Sequence, residues 1–179
     1  DTIRCGERSW VVAGIETFKM DYAIRKTAAA GVTVTINGAD QRHTPAATSV
    51  ASTGETANVD NRYMNLAVTV TSGAIAVGDA FTIADVYSVH HITKQSTAQL
   101  KTFRVVGIVS GAGGTGTIRI SPAIVAVDGA TPTDAMMQYQ NVNSTPASGA
   151  AIVWLNVDTA PLNPFWCKDA IELLPATLA

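Results

Sequence analysis

The stretch YMNLAVTVT at residues 63–71 alternates apolar and polar side chains with a period of two. Leu66, Val68 and Val70 fall on one face, and Ala67, Thr69 and Thr71 on the other. Successive side chains of an extended chain point to opposite faces, so this pattern makes a strand with one dry and one wetted side. β-Branched residues also pack well on a pleated, half-buried surface. The same period recurs along the chain. GVTVTIN (31–37) sets Val32, Val34 and Ile36 against Thr33 and Thr35. DAFTIA (79–84), KTFRVVGIVS (101–110), TGTIRIS (115–121) and AAIVWLN (150–156) read the same way. One buried and one wetted face per strand is the mark of antiparallel sheets.

The connections agree. SGAIAVGD (72–79) reads as a short turn-rich link, and SGAGGTG (110–116) as a hairpin loop between two strong strands. Closely spaced strands joined by Gly, Ser and Thr turns predict a barrel or a sandwich, and a closed barrel is preferred because closure removes exposed edges. Helical signals are few. TPTDAMMQYQ (131–140) predicts one short helix, with Thr131 as its cap, Pro132 in its first position and Asp134 complementing its positive end. ITKQSTAQLK (92–101) predicts a turn or two of helix, or a loop. Two long loops are expected. Residues 39–58 are rich in Ala, Ser, Thr and Gly without apolar periodicity, and residues 87–101 form the second. Loops of such length inside a compact domain are usually functional or mobile. The first 30 residues, with TFKMDYAIRKTAAA, differ in character and are expected to lie outside the barrel.

Composition narrows the function classes. Among 179 residues 47% are hydrophobic and 15% charged, with a formal net charge of −2, which describes a chain able to bury a core. There is no Lys/Arg run, hence no electrostatic footprint for nucleic acid. No apolar run approaches the ~20 residues that a membrane-crossing helix needs. DTIRCGERSW has no apolar core of a signal peptide and no initiator Met, so the expectation is a processed product or a piece of something longer. Cys5 and Cys167 lie near opposite ends and form neither a CxxC nor a disulfide framework. Two free thiols are expected, with a terminus-to-terminus disulfide as the other option.

A search for chemistry finds no constellation. SGAGGTGT lacks the Lys and the following helix of a phosphate-binding loop. His90 and His91, read as strand neighbours, would point to opposite faces, and His43 is remote in sequence, so no metal set forms by spacing. No GxSxG is present, and the carboxylates Asp60, Asp79, Asp85, Asp128, Asp134, Asp158, Asp169 and Glu172 make no pair by spacing. No enzyme activity, cofactor or metal is expected. The dense cluster NVDNR (58–62) lacks the further ligands of a calcium loop, and Asp and Asn of this kind bond their own backbone to build a corner. Asp60, Asn61 and Arg62 are therefore read as a structural corner. The other reading of such a fold is a stand-alone carbohydrate- or surface-binding β-module, which would present exposed aromatics. Trp10, Trp154 and Trp166 lie in apolar or segment-end contexts, and the long loops carry only Tyr87.

In order along the chain, NVDNRY, VTVTSG, VGDAFTIADV, FRVV, IRISPAIV, YQNVN and IVWLNVDTAPLNPFWCKDAIELL resemble the central region of a tailed-phage major coat protein, of the family of the Salmonella short-tailed phage P22 and its relatives. The resemblance runs collinearly from about residue 11 to residue 174, and VAGIETF near the start resembles the segment before the family's inserted domain. NVDNR, YQNVN (139–143) and NPFWCKDAI (163–171) are its most specific pieces. The resemblance implies a Hong Kong 97-type capsid subunit whose A-domain carries an inserted six-stranded antiparallel β-barrel. Residues 1–25 would then be a flanking A-domain segment, 26–160 the inserted barrel and 161–179 the return to the A-domain. It also implies a role in subunit stability. Residues 39–58 look like the loop that reaches across a twofold between capsomers, with Asp40, Arg42 and Glu55 as its charged residues. Residues 87–101 look like a loop implicated in shell size. The implied partners are other copies of the coat protein, with scaffolding protein a second candidate, and no nucleic acid or membrane. The implied location is the virion capsid, assembled in the bacterial host cytoplasm. The family's N-terminal arm, extended loop and spine helix are not found, so a fragment is expected.

Overall fold

The computed structural model describes residues 9–12, 15–18, 24–29, 31–110, 114–128 and 131–162. Cys5, Cys167, Trp166, Asp169, Glu172 and the NPFWCKDAI stretch lie outside them. The chain divides into two compact units, one of residues 1–27 with 159–179 and one of residues 28–158. In the first, β1 (Ser9–Val12) pairs antiparallel with β2 (Ile15–Phe18). There too β3 (Arg25–Lys26) pairs with β12 (Ala160–Pro161).

The second unit holds the alternating segments. They form β4 (Thr33–Ile36), β7 (Met64–Ser72), β8 (Ala80–Val89), β9 (Ser96–Ser110), β10 (Gly114–Ser121) and β11 (Ile152–Trp154), with the hairpin β5 (Thr48–Val50) and β6 (Thr56–Asn58) between β4 and β7. Six strands make one antiparallel sheet in the order β11–β8–β9–β10–β7–β4. Its outer strands approach each other. Ile36 N donates to Ala150 O at 2.9 Å, Gly149 N donates to Ile36 O at 2.8 Å, and Thr35 bridges Ala151. The sheet is thus a nearly closed barrel, and the meeting of β4 with β11 satisfies backbone groups that an open edge would leave unpaired.

The interior is the dry face set by the period of two. Val34, Ile36, Leu66, Val68, Val70, Ile118 and Ile120 point inward as the alternation predicts. Phe81, Phe103 and Trp154 form an aromatic core, with ring centroids 5.8 Å apart for the first two and 5.4 Å for Phe81 and Trp154. Trp154 Nε1 donates to Val32 O at 2.9 Å, so its polar edge is satisfied inside. In β8 the alternation breaks. Phe81 and Ile83 face inward, but so does Val86, because the pairing with β9 shifts between Thr82 and Tyr87 and Asp85 adopts φ 62°. An extra residue in one strand exchanges the two faces beyond it.

Other expectations change. The turn or two of helix at 92–101 is absent, and most of the stretch 87–101 is strand instead. β8 runs on to Val89 and β9 begins at Ser96, giving a hairpin whose pairs include Tyr87 with Leu100 and Val89 with Ser96. The helix α1 (Asp134–Tyr139) is capped by Thr133, not Thr131. Thr133 Oγ1 accepts from Met136 N at 3.2 Å, and Pro132 precedes the cap rather than opening the helix. The cap falls where an extended residue puts its hydroxyl under the third amide, a geometry Thr133 meets with φ −83° and ψ 158°. Asp134 does stand in the first turn.

Candidate functional site

Two projections leave the barrel: the segment 37–62, containing β5 and β6, and the β8–β9 hairpin. The first is rooted by side chains that replace backbone pairing. Gln41 Oε1 accepts from Ala67 N at 2.6 Å, and its Nε2 donates to Ala67 O and Asn37 O, each at 3.0 Å. The amide thus acts as a stand-in strand residue along β7. Arg42 donates to Asp128 O through one terminal nitrogen and to Asp40 Oδ1 at 3.0 Å through the other. The Arg42 side chain is only 12% exposed, against 71% for Asp40. His43 N donates to Ile124 O at 2.7 Å.

The corner at 58–62 combines a local and a long-range device. Asp60 Oδ1 accepts from Arg62 N at 3.1 Å and from Arg62 Nε at 2.9 Å, while Oδ2 accepts from the Arg62 terminal nitrogen at 2.8 Å. Arg62 also lies 5.1 Å from the Tyr63 ring centre. Asn61 reaches across to the far limb of the loop. Its Oδ1 accepts from Ala46 N at 3.1 Å, its Nδ2 donates to Ala46 O at 2.8 Å, and His43 Nε2 stands 2.9 Å from Oδ1. Beyond this tie the chain is free: every residue from 46 to 58 is exposed. Glu55 sits in the turn between β5 and β6, where its carbonyl accepts from Ala51 N at 2.8 Å.

The Arg62 fork holds the Asp60 carboxyl low, at about 2, by its side-chain hydrogen bonds first and its backbone N–H second. A carboxylate with a depressed folded value helps the fold above the ordinary carboxylate range and loses that help as pH falls through the folded value. A carbon-detected NMR titration is expected to place the Asp60 midpoint near 2. In Arg62→Gln the midpoint should rise toward the ordinary value of 3.8. An unmoved midpoint would mean that Arg62 does not set it.

The second projection is latched to α1. Lys94 Nζ donates to Gln138 O at 2.6 Å and Gln140 O at 3.3 Å, satisfying carbonyls at the helix C-terminus. His90 and His91 occupy the turn, not a strand, and their rings lie 5.6 Å apart rather than on opposite faces. Among the described residues no group of three or more His, Cys, Asp or Glu gathers as a metal set. Two open clefts flank the loop base. One of about 590 Å³ lies between Pro45, Pro122 and Tyr139, and one of about 410 Å³ between His43, Tyr63 and Arg119. Gln41, His43 and Lys94 gave no signal in the sequence, because each bonds to a segment at least 18 residues away.

A family model described as P22 coat protein, gene protein 5, matches residues 4–179. The chain belongs to the P22 coat protein family. A solved structure named CUS-3 coat protein I-domain is 39% identical, covering 72% of this chain and 98% of that one, with a TM-score of 0.49. As a member of a coat protein family, the chain is a structural component of a viral capsid and not an enzyme. It assembles with other coat protein copies and its place is the virion.

Proposed function

We propose that residues 26–160 are an inserted domain that stabilises the coat subunit and carries contacts between capsomers, with 1–25 and 161–179 belonging to the domain that receives it. The division into units at residues 28 and 158 supports these boundaries. The observation that carries the contact role is the build of residues 37–62. Its base is fixed to the barrel by Gln41, Arg42 and the His43 backbone, and Asn61 ties its two limbs together, while 46–58 are exposed throughout. A projection that is rigid at the root and bare at the tip suits a neighbouring subunit. Of the three charged candidates, Asp40 and Arg42 pair with each other and Arg42 grips Asp128, so they serve the root. Glu55, exposed in the terminal turn, is the one proposed to meet another chain. The Asp60–Arg62 corner sets the angle at which the projection rejoins the barrel.

The β8–β9 hairpin is the element proposed to act in shell size, because Lys94 fixes its direction against α1. Assembly in the host cytoplasm with a scaffolding protein completes this reading. A surface-binding module finds no support in Trp154, whose ring is buried and whose Nε1 is bonded.

The contact role is tested by replacing residues 48–58 with Asn-Gly, a two-residue turn suited to joining the facing residues Ala47 and Val59. The barrel is expected to keep its melting temperature while assembled shells lose resistance to heat and urea. Shells as resistant as those of the unaltered chain would exclude the contact role.

A further inference from the structure

We propose that β5 is a strand-addition edge: β5 of one coat subunit pairs antiparallel with β5 of a second copy, about a local twofold axis through Ser49. This rests on the contact role proposed for the hairpin and specifies its chemistry.

The hairpin has nothing of its own to lean on. Both strands are exposed at every position, whereas an isolated two-stranded hairpin is marginal in water. Its backbone is half used. Ala51 N donates to Glu55 O and Val59 N to Ala47 O, and the register sets Ser49 opposite Ala57. Hydrogen-bonded and non-bonded pairs alternate in an antiparallel ladder. Thr48 and Val50 therefore turn their N–H and C=O groups away from β6, and Thr56 and Asn58 turn theirs away from β5.

The two edges are not equivalent. Protected edges carry charges, prolines or bulges. The β6 edge is flanked by charged groups, the Glu55 carboxylate on one side and the Asp60–Arg62 pair on the other. The β5 edge has no charged residue from 44 to 54. It also shows that it accepts an antiparallel partner. Ala46, which has the same outward parity as Thr48 and Val50, already exchanges both backbone bonds with the Asn61 side-chain amide. That amide stops the ladder at its base and leaves Thr48 and Val50 as the free part.

A strand that pairs antiparallel with itself needs only its own sequence, which is what a twofold interface requires. Thr48 of each copy then faces Val50 of the other. These two pairs exchange four backbone hydrogen bonds and join two β-branched side chains on one face. Ser49, whose backbone is used by β6, becomes the non-bonded pair on the axis with its own copy, with Cα atoms about 4.5 Å apart. That spacing lies within the roughly 4.4–6.8 Å a disulfide tolerates.

The test is Ser49→Cys in shells assembled from the full-length coat chain and oxidised with copper phenanthroline. Ala57→Cys, Thr53→Cys and the unsubstituted chain, which carries Cys5 and Cys167, serve as controls. On a non-reducing gel the Ser49→Cys chain is expected to run mostly as a dimer, with the controls near background. Cross-linking by Ala57→Cys instead would overturn the choice of edge. Cross-linking by Thr53→Cys alone would overturn strand pairing while leaving a tip contact between subunits. No cross-link at any of the three positions, in shells that do weaken when the hairpin is removed, sinks the pairing alone. Shells indifferent to the hairpin's removal sink the contact role itself.

Discussion

Val68→Asp is expected to unfold the barrel unit. Val68 lies at the middle of β7, fully buried, with Ile36 opposite it in β4 and Gly116 opposite it in β10. Its neighbours inside the barrel are apolar, including Leu66, Val70 and Ile118. The change forfeits about 1.5–3 kcal/mol of buried aliphatic side chain. It also brings in a carboxylate with no donor, which must stay charged at a cost of several kcal/mol or take up a proton. Together these approach the whole of a domain's stability, about 5–15 kcal/mol. Thr71→Asp, three residues further on an odd-numbered, outward position, is expected to change stability by less than about 1 kcal/mol. Circular dichroism melts of the two variants read the difference directly. A Val68→Asp chain that melts with the unaltered one would refute the assignment of the inward face.

Asp79→Ala is expected to cost about 2–4 kcal/mol, because a buried carboxylate that accepts several donors is removed and the donors are stranded. Asp79 is 2% exposed at the turn leading into β8. Its Oδ2 accepts from Ala76 N at 2.8 Å and its Oδ1 from Asn156 Nδ2 at 3.0 Å. Asn156 in turn accepts from Ala80 N through Oδ1 and from Ala29 N through its carbonyl. One carboxylate therefore ties the β7–β8 turn to both the segment that opens the barrel unit and the segment that closes it. Asp79→Asn keeps the shape but turns one acceptor into a donor, so an intermediate loss is expected. Urea unfolding of both variants measures the pair. An alanine variant within about 0.5 kcal/mol of the parent would place the joint elsewhere.

These two positions also divide what sequence and structure each supplied. Val68 was legible at once, because the period of two states which residues share a face wherever a strand is half buried. Asp79 was not. It stood among fourteen carboxylates with no spacing that marked it, and its partner Asn156 lies 77 residues away. The Asp60–Arg62 corner was legible because its bonds span two residues, the range that local turn chemistry describes. The Asn61 tie to Ala46 spans 15 residues and the Lys94 latch 44, and neither follows from any local rule. The β5–β6 hairpin and the outer part of the β8–β9 hairpin, residues 87–101, were missed for a related reason. None of the residues in β5, β6 or the 87–101 stretch is buried, so no apolar alternation records that the backbone is extended.

The amino-acid sequence by itself determined the core strand segments of the barrel, their dry faces, the short helix near residues 134–139 and the family, because side-chain alternation and ordered motifs are written residue by residue. Tertiary structure alone decided the closure of β4 on β11, the exchange of faces at Asp85, the cap at Thr133 and the rooting of the long loop. Each of these depends on where a backbone group finds its hydrogen-bond partner, and burial obliges it to find one at whatever separation along the chain the fold provides.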